Sequence, residues 1–220
     1  MPRRPRFSTG GYVFHALNRG VGRSTIFFHD SDYDAFERVL QEAQREVPMR
    51  ILSYALMPNH WHLVLWPEGD EDLSAFMHWL TLTHTQRWHK AHESVGTGPI
   101  YQGRFKSFPV ETDDHFFTVC RYVERNPLRA NLVTRAESWR WTSLWQLHNA
   151  RCDVSLAAWP AARPSRWIEY VNSVETEAEL HALRNSVSRG APFGNTNWRR
   201  ETARRLGIES TLRLRGRPPD

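Results

Sequence analysis

Residues 50–66, RILSYALMPNHWHLVLW, decide how the rest of the chain is read. Two apolar runs flank the turn-forming pair Pro58-Asn59, so the stretch reads as a hairpin of two strands. A strand sends successive side chains to opposite faces. Trp61, Leu63 and Leu65 then share one face, and His60, His62 and Val64 share the other. Two imidazoles side by side on a sheet are unfavourable if both are dry and unpartnered. They are tolerated if they hold a metal ion together, or if each is solvated or hydrogen-bonded. The hairpin alone leaves both readings open.

Outward from the hairpin, the patterns alternate between the two regular structures. Residues 11–20, GYVFHALNRG, read as a strand closed by a glycine turn, with Val13, His15 and Leu17 alternating against Phe14 and Ala16. Residues 31–47 read as a helix that Ser31 can cap, with Phe36, Val39, Leu40, Ala43 and Val47 at helical spacing. A longer helix over 71–92 buries Leu73, Phe76, Met77 and Leu80, and its histidines His78, His84, His89 and His92 read as solvated or rim residues. RFKSFPVE (104–111) reads as a strand setting Arg104 and Lys106 on one face. DDHFFTVCRYVERN (113–126) reads as a helix that buries Phe116, Val119, Cys120 and Val123 and that Pro127 limits. The order strand, helix, hairpin, helix, strand, helix predicts an α+β fold, an antiparallel sheet with covering helices of the ferredoxin-like kind. After Asn149 the pattern is irregular, with WPAARPSRW (159–167) as a connector, a short helix over 175–185 and a second, basic one at NWRRETARRLG. Two parts are expected: 1–149, carrying the sheet, and 150–220, a helical and basic C-terminal extension.

A chain of 220 residues and 25.8 kDa is long enough for a proper core. A net charge of +5 and a pI near 9.6 suit an acidic partner, nucleic acid first, and the arginines crowd together from Arg184 onward. Cys120 and Cys152, the only cysteines, make no disulfide framework and suggest a reducing compartment. MPRRPRFSTGG lacks the apolar stretch of a secretory signal, and nothing approaches the length of a membrane span. A cytoplasmic, nucleoid-associated protein is expected.

Tyr122 and Asn126 are four residues apart and so share a helix face, beside the buried stripe. Aimed at the histidine face, they would complete a compact site: two imidazoles, an amide oxygen and a phenol hydroxyl. The alternative is a partly buried aromatic and a helix-end residue before proline.

FHALNRG, YALMPNHWH, GRFKSFPVETD and YVERNPLRANLV occur in the order and spacing of the REP-associated tyrosine transposases, and NHWHLVL resembles the HUH motif of single-tyrosine transposases. The resemblance covers roughly residues 8–148, and the tail RLRGRPPD is also similar. It implies an HUH nuclease fold and a metal-dependent enzyme that cleaves and rejoins hairpin-bearing single-stranded DNA of the repetitive extragenic palindrome type. His60 and His62 would be metal ligands, Asn126 a third, amide-type ligand, and Tyr122 the nucleophile. The working ion would be Mg²⁺ or Mn²⁺, although bare affinity of two imidazoles and an amide favours later transition metals. An ordinary tyrosine, with a pKa of about 10, is a poor nucleophile at neutral pH. A divalent ion on a non-bridging phosphate oxygen would offset the charge repelling it. Two other readings remain: a non-catalytic module that binds structured DNA or RNA, and a metal nuclease that uses water.

Arg104, Lys106, Arg121, Arg125 and Arg129 flank the expected site and could pair with phosphates, as could Arg215 and Arg217 in the AT-hook-like Arg-Gly-Arg-Pro. Trp139, Trp141 and Trp145 could stack on unpaired bases, with core packing expected for at least two. A monomer is expected rather than a homodimer, and no membrane partner.

Overall fold

Alternating apolar faces draw the strands of the computed structural model, which describes residues 9–213, into one sheet. The strands are β1 (Val13–Arg19), β2 (Arg50–Met57), β3 (His60–Trp66) and β4 (Lys106–Val110). Their spatial order is β2-β3-β1-β4 and every pairing is antiparallel. The helices are α1 (Asp30–Glu46), α2 (Asp72–Ala91), α3 (Asp114–Glu124), α4 (Asn126–Arg129), α5 (Ser143–His148), α6 (Trp167–Asn172), α7 (Glu177–Arg189) and α8 (Thr196–Arg205). The expected α+β fold, an antiparallel sheet covered by helices, is the one observed.

The two faces of the sheet bury two separate cores. Phe14, Ala16, Trp61, Leu63 and Leu65 pack against α1 and α2, through Phe36, Leu40, Phe76 and Leu80. Val13, Leu52, Ala55, Val64, Phe108 and Val110 pack against α3, through Phe116, Val119, Cys120 and Val123. The period-2 alternation of β1 and β3 assigns each residue to its layer. Trp141 stacks on Tyr33, with ring centres 4.7 Å apart, and the Trp139 indole donates to the Leu56 carbonyl at 2.8 Å. Both tryptophans therefore serve packing.

Local expectations differ from the structure at several points. The entry to α1 is capped by Asp32, whose carboxylate accepts from the Phe28 and His29 amides at 2.8 and 3.1 Å, and not by Ser31. His84 is not solvated. It is 3 % exposed, with its Nδ1 2.7 Å from the Tyr101 hydroxyl, because it points inward between α1 and the sheet. Pro127 limits α3, which ends at Glu124, and stands in the first turn of the short α4, where the Arg129 and Ala130 amides donate to the Arg125 and Asn126 carbonyls. Arg104 precedes β4 and lines a cleft of about 640 Å³ with Asn18 and α2, away from Lys106.

The chain after residue 149 returns to the sheet. The Ala157 amide donates to Ile51 at 2.8 Å, the Trp159 indole donates to Leu52 at 2.7 Å, and Phe193 bridges Val110 at the edge of β4. Trp167, Val171, Leu180 and Leu183 join the α3 core. Among the described residues, no helix is long and apolar enough to cross a membrane.

Candidate active site

Strand pairing places the histidines. In the β1–β3 register His62 lies opposite Leu17, and His60 opposite Arg19. The face they share is the one covered by α3, and Tyr122 comes down on it from the edge of the buried stripe. Its ring centre is 5.8 Å from that of His62 and 6.2 Å from that of His15, edge-on to both, and it is 8 % exposed. Asn126 follows one turn later and is also buried. The fold therefore brings His60, His62, His15 and Tyr122 together.

The His60 and His62 rings lie nearly perpendicular, at 84°, with centres 5.0 Å apart. Their Nδ1 atoms are both engaged from behind. His60 Nδ1 is 2.6 Å from the Asn59 amide oxygen, and the Asn59 amide nitrogen donates to the Arg23 carbonyl at 3.1 Å. That second bond fixes which end of the amide faces the ring. An amide oxygen can only accept, so His60 carries its proton on Nδ1 and keeps the Nε2 lone pair. His62 Nδ1 is 2.9 Å from Nε2 of His15, a buried histidine of β1.

Burial keeps these rings neutral. It pushes His15 down to about 3. Burial, then the charges of Arg19 and Arg129, pushes His60 down to about 3. His62 is held well below the usual histidine range, by burial first and then by His15, His60, Arg129 and Arg19. A metal ligand must offer a lone pair, so neutral imidazoles suit the task. An imidazole nitrogen lies about 2.1 Å from a bound ion, so two rings sharing one ion have centres about 5 Å apart. The spacing, the neutral state and the rear partner of each ring all fit a divalent ion.

The arginines divide by role. Arg129 lies with its guanidinium 4.2 Å above the Tyr122 ring and donates to Glu175 at 2.9 Å. Arg125 donates to the Val171 and Asn172 carbonyls at 2.9 and 2.7 Å. Arg121, 4 % exposed, donates to the Ser173 and Val174 carbonyls, both at 2.8 Å. At a spacing of four residues they form a ladder that clamps residues 171–175, so Arg121 and Arg125 are engaged by the protein itself. Lys106 is exposed on the histidine face and Arg104 on the α2 side. Arg215 and Arg217 lie outside the described residues.

Sequence reasoning missed three neighbours of the site. His15 and Asn59 stand behind the two candidate ligands, and Arg19 lies opposite His60 with its Nε buried and unpartnered among the described residues. The strand pattern does put His15 on a face with Val13 and Leu17, but only the β1–β3 pairing sets it beside His62. A second group of possible ligands, Glu111, Asp113 and His115, has its atoms within 4.8 Å of one another. These groups have structural tasks: Glu111 accepts from Asn195 at 2.6 and 2.7 Å, and Asp113 accepts from the His115 amide at the start of α3.

A family model described as "Transposase IS200 like" matches residues 10–126. A solved structure described as "Structure of the REP associates tyrosine transposase bound to a REP hairpin" superposes with a TM-score of 0.56 at 19 % identity, covering 80 % of this chain and 92 % of that one. At that identity the likeness is one of fold. No curated protein matches.

Proposed function

The chain belongs to the IS200-like transposase family, and from that premise we propose that it cleaves and rejoins hairpin-bearing single-stranded DNA through a phosphotyrosine at Tyr122. The observation that carries this reading is the packing of Tyr122 against His62, beside His60, on one face of the sheet. The hairpin as substrate rests on the structural neighbour, which holds one.

In this reading His60 and His62 would hold a divalent ion, Mg²⁺ or Mn²⁺, through their Nε2 lone pairs, with the Asn126 amide oxygen as a third ligand. Such an ion would supply positive charge that lowers the repulsion between the phosphate and an incoming nucleophile. The Tyr122 hydroxyl oxygen attacks phosphorus in line. A bond forms between that oxygen and phosphorus while the P–O3′ bond breaks. The phenol proton passes to solvent, and the departing 3′ oxygen takes one up. The products are a 5′-phosphotyrosine and a free 3′-hydroxyl. Attack by a 3′-hydroxyl reverses the step and releases Tyr122. One phosphoester replaces another, so the bond energy is kept without a nucleotide cofactor. Arg129, stacked on the Tyr122 ring, and Arg19, opposite His60, add positive charge where the phosphate would lie. Residues 1–149 would carry the chemistry, and the extension 150–220 would add DNA contacts through the exposed arginines of α8. The protein would act as a cytoplasmic, nucleoid-associated monomer.

The test is a denaturing gel with a hairpin oligonucleotide labelled at its 3′ end. The 5′-phosphotyrosine keeps the label on the protein, so wild type should give a slow band that needs Mg²⁺ or Mn²⁺. Tyr122→Phe should lose that band and all cleavage while binding the hairpin within a few-fold of wild type. Cleavage by Tyr122→Phe at the wild-type rate would overturn the tyrosine mechanism and leave an activated water.

A further inference from the structure

The two candidate ligands are held from behind in different ways. His60 faces an amide oxygen, which permits one tautomer only. His62 faces His15, an imidazole that can donate or accept at the contact. The His15 and His62 rings are nearly parallel, at 9°, with centres 5.0 Å apart. A single proton can lie between their facing nitrogens, so each tautomer of one ring dictates that of the other. If His15 donates from Nε2, His62 carries its remaining proton on Nε2 and has no lone pair for an ion. If His62 donates from Nδ1, its Nε2 lone pair is free.

We propose that His15 is a positioning residue that holds His62 in its ligating tautomer by accepting the Nδ1 proton at its own Nε2. The proposal rests on the metal-site reading given above. His15 is suited to this by its surroundings. It is fully buried in β1, edge-on to Phe108 with ring centres 4.9 Å apart, so it has no room to turn away from His62. When it accepts at Nε2, His15 carries its own proton on Nδ1, which is buried with no hydrogen-bond partner among the described residues. That unsatisfied N–H is offset when an ion takes the His62 Nε2 lone pair, so the ligating arrangement is the one the loaded site selects. Metal-bound histidines ordinarily give their second N–H to a carboxylate, a carbonyl or water, and this outer contact sets ring orientation and ligand basicity. A neutral imidazole in that place does the same work without adding a negative charge beside the phosphate. The device therefore orients His62 and leaves the positive potential of Arg19 and Arg129 intact.

Calorimetric titration of the full chain with Mn²⁺ tests the assignment. His15→Leu removes the acceptor and leaves the His62 Nδ1–H buried and unsatisfied. Affinity should fall about 10- to 100-fold, as when other metal-bound histidines are deprived of a rear partner. His15→Gln offers an amide oxygen at similar reach and should return affinity to within a few-fold of wild type. Circular dichroism shows whether each variant is folded. A folded His15→Leu protein with wild-type affinity would overturn the proposal alone. Wild-type binding that His60→Ala leaves unchanged would sink the metal-site reading, and this proposal with it. Nitrogen-15 spectra of the wild-type imidazoles loaded with Mg²⁺ need no variant to fold. They should show the His62 proton on Nδ1, and a bare Nδ1 would refute the role of His15.

Discussion

Lowering the pH from 7 to 5 should strip this protein of much of its stability through its buried histidines. His15, His60 and His84 are each pushed down to about 3, in every case by burial first. The unfolded chain returns them to the ordinary value of 6.5. The folded state thus binds fewer protons, and stability rises with pH through this window. It is complete above about pH 6.5 and is lost as the pH falls towards 3. At pH 5 each of the three groups has given up ~1.5 units of its shift, which is ~2 kcal/mol apiece. Together they remove ~6 kcal/mol, against a total of about 5–15 kcal/mol for an ordinary domain. His62 moves in the same direction. Glu37, pushed up to about 7 by burial, takes up its proton in the folded state first and returns ~2 kcal/mol of this loss, and Glu124, also raised by burial, acts as Glu37 does. With a urea dependence of about 2 kcal/mol per molar, the midpoint should drop by roughly 2 M between pH 7 and pH 5. Urea titrations at pH 7, 6 and 5, followed by tryptophan fluorescence, read this directly. His84→Gln, far from the proposed metal site, should flatten the dependence by up to about 1.4 kcal/mol per pH unit. A folded His84→Gln protein with the wild-type pH dependence would refute the reasoning, because that imidazole could not then be buried and neutral.

Other outcomes follow from the same contacts. Arg121→Ala should lower unfolding stability by about 2–3 kcal/mol, because it removes the charge-assisted bonds of a buried guanidinium to the Ser173 and Val174 carbonyls. It should leave the salt dependence of DNA binding unchanged, and a flatter slope would return Arg121 to the phosphate-binding set. Replacing the exposed Arg200 and Arg204 of α8 by glutamine should do the reverse. Removing one phosphate-binding cation reduces the slope of log affinity against log salt by about 0.7 for single strands. Equal slopes in wild type and double variant would show that α8 does not touch DNA. Asn59→Ala frees the rear of His60 and should weaken Mn²⁺ binding about tenfold in calorimetry; unchanged affinity would mean that His60 needs no orienting partner.

The hairpin at 50–66, the helices over 31–47 and 71–92 and the division of β1 and β3 into two faces can all be read from the sequence. Local periodicity alone assigns a side chain to a face, and pairing alternate residues with opposite layers follows from backbone geometry. Tyr122 and Asn126 can likewise be placed on one helix face, since a spacing of four residues needs no knowledge of the rest of the chain. Pro127 is legible too: α3 ends at Glu124, just before it, because a proline lacks the N–H of the ladder and crowds the turn that precedes it.

Partnership is what the sequence leaves open. That His60 and His62 share a face is local, but whether they are solvated, hydrogen-bonded or poised for an ion depends on what stands behind them. Asn59 is a neighbour in the chain, while His15 is 47 residues from His62 and reaches it only through the β1–β3 register. The same holds for charge. Arg121 and Arg125 read as phosphate contacts because a guanidinium in sequence shows only its charge, and the carbonyls of 171–174 that engage them are about fifty residues away. His84 lies on a helix among polar neighbours, and only the packing of α1, α2 and the sheet turns it inward to Tyr101. Periodicity decides which way a side chain points; the tertiary structure decides what it meets there, because hydrogen bonds and desolvation act between atoms brought together by distant parts of the chain.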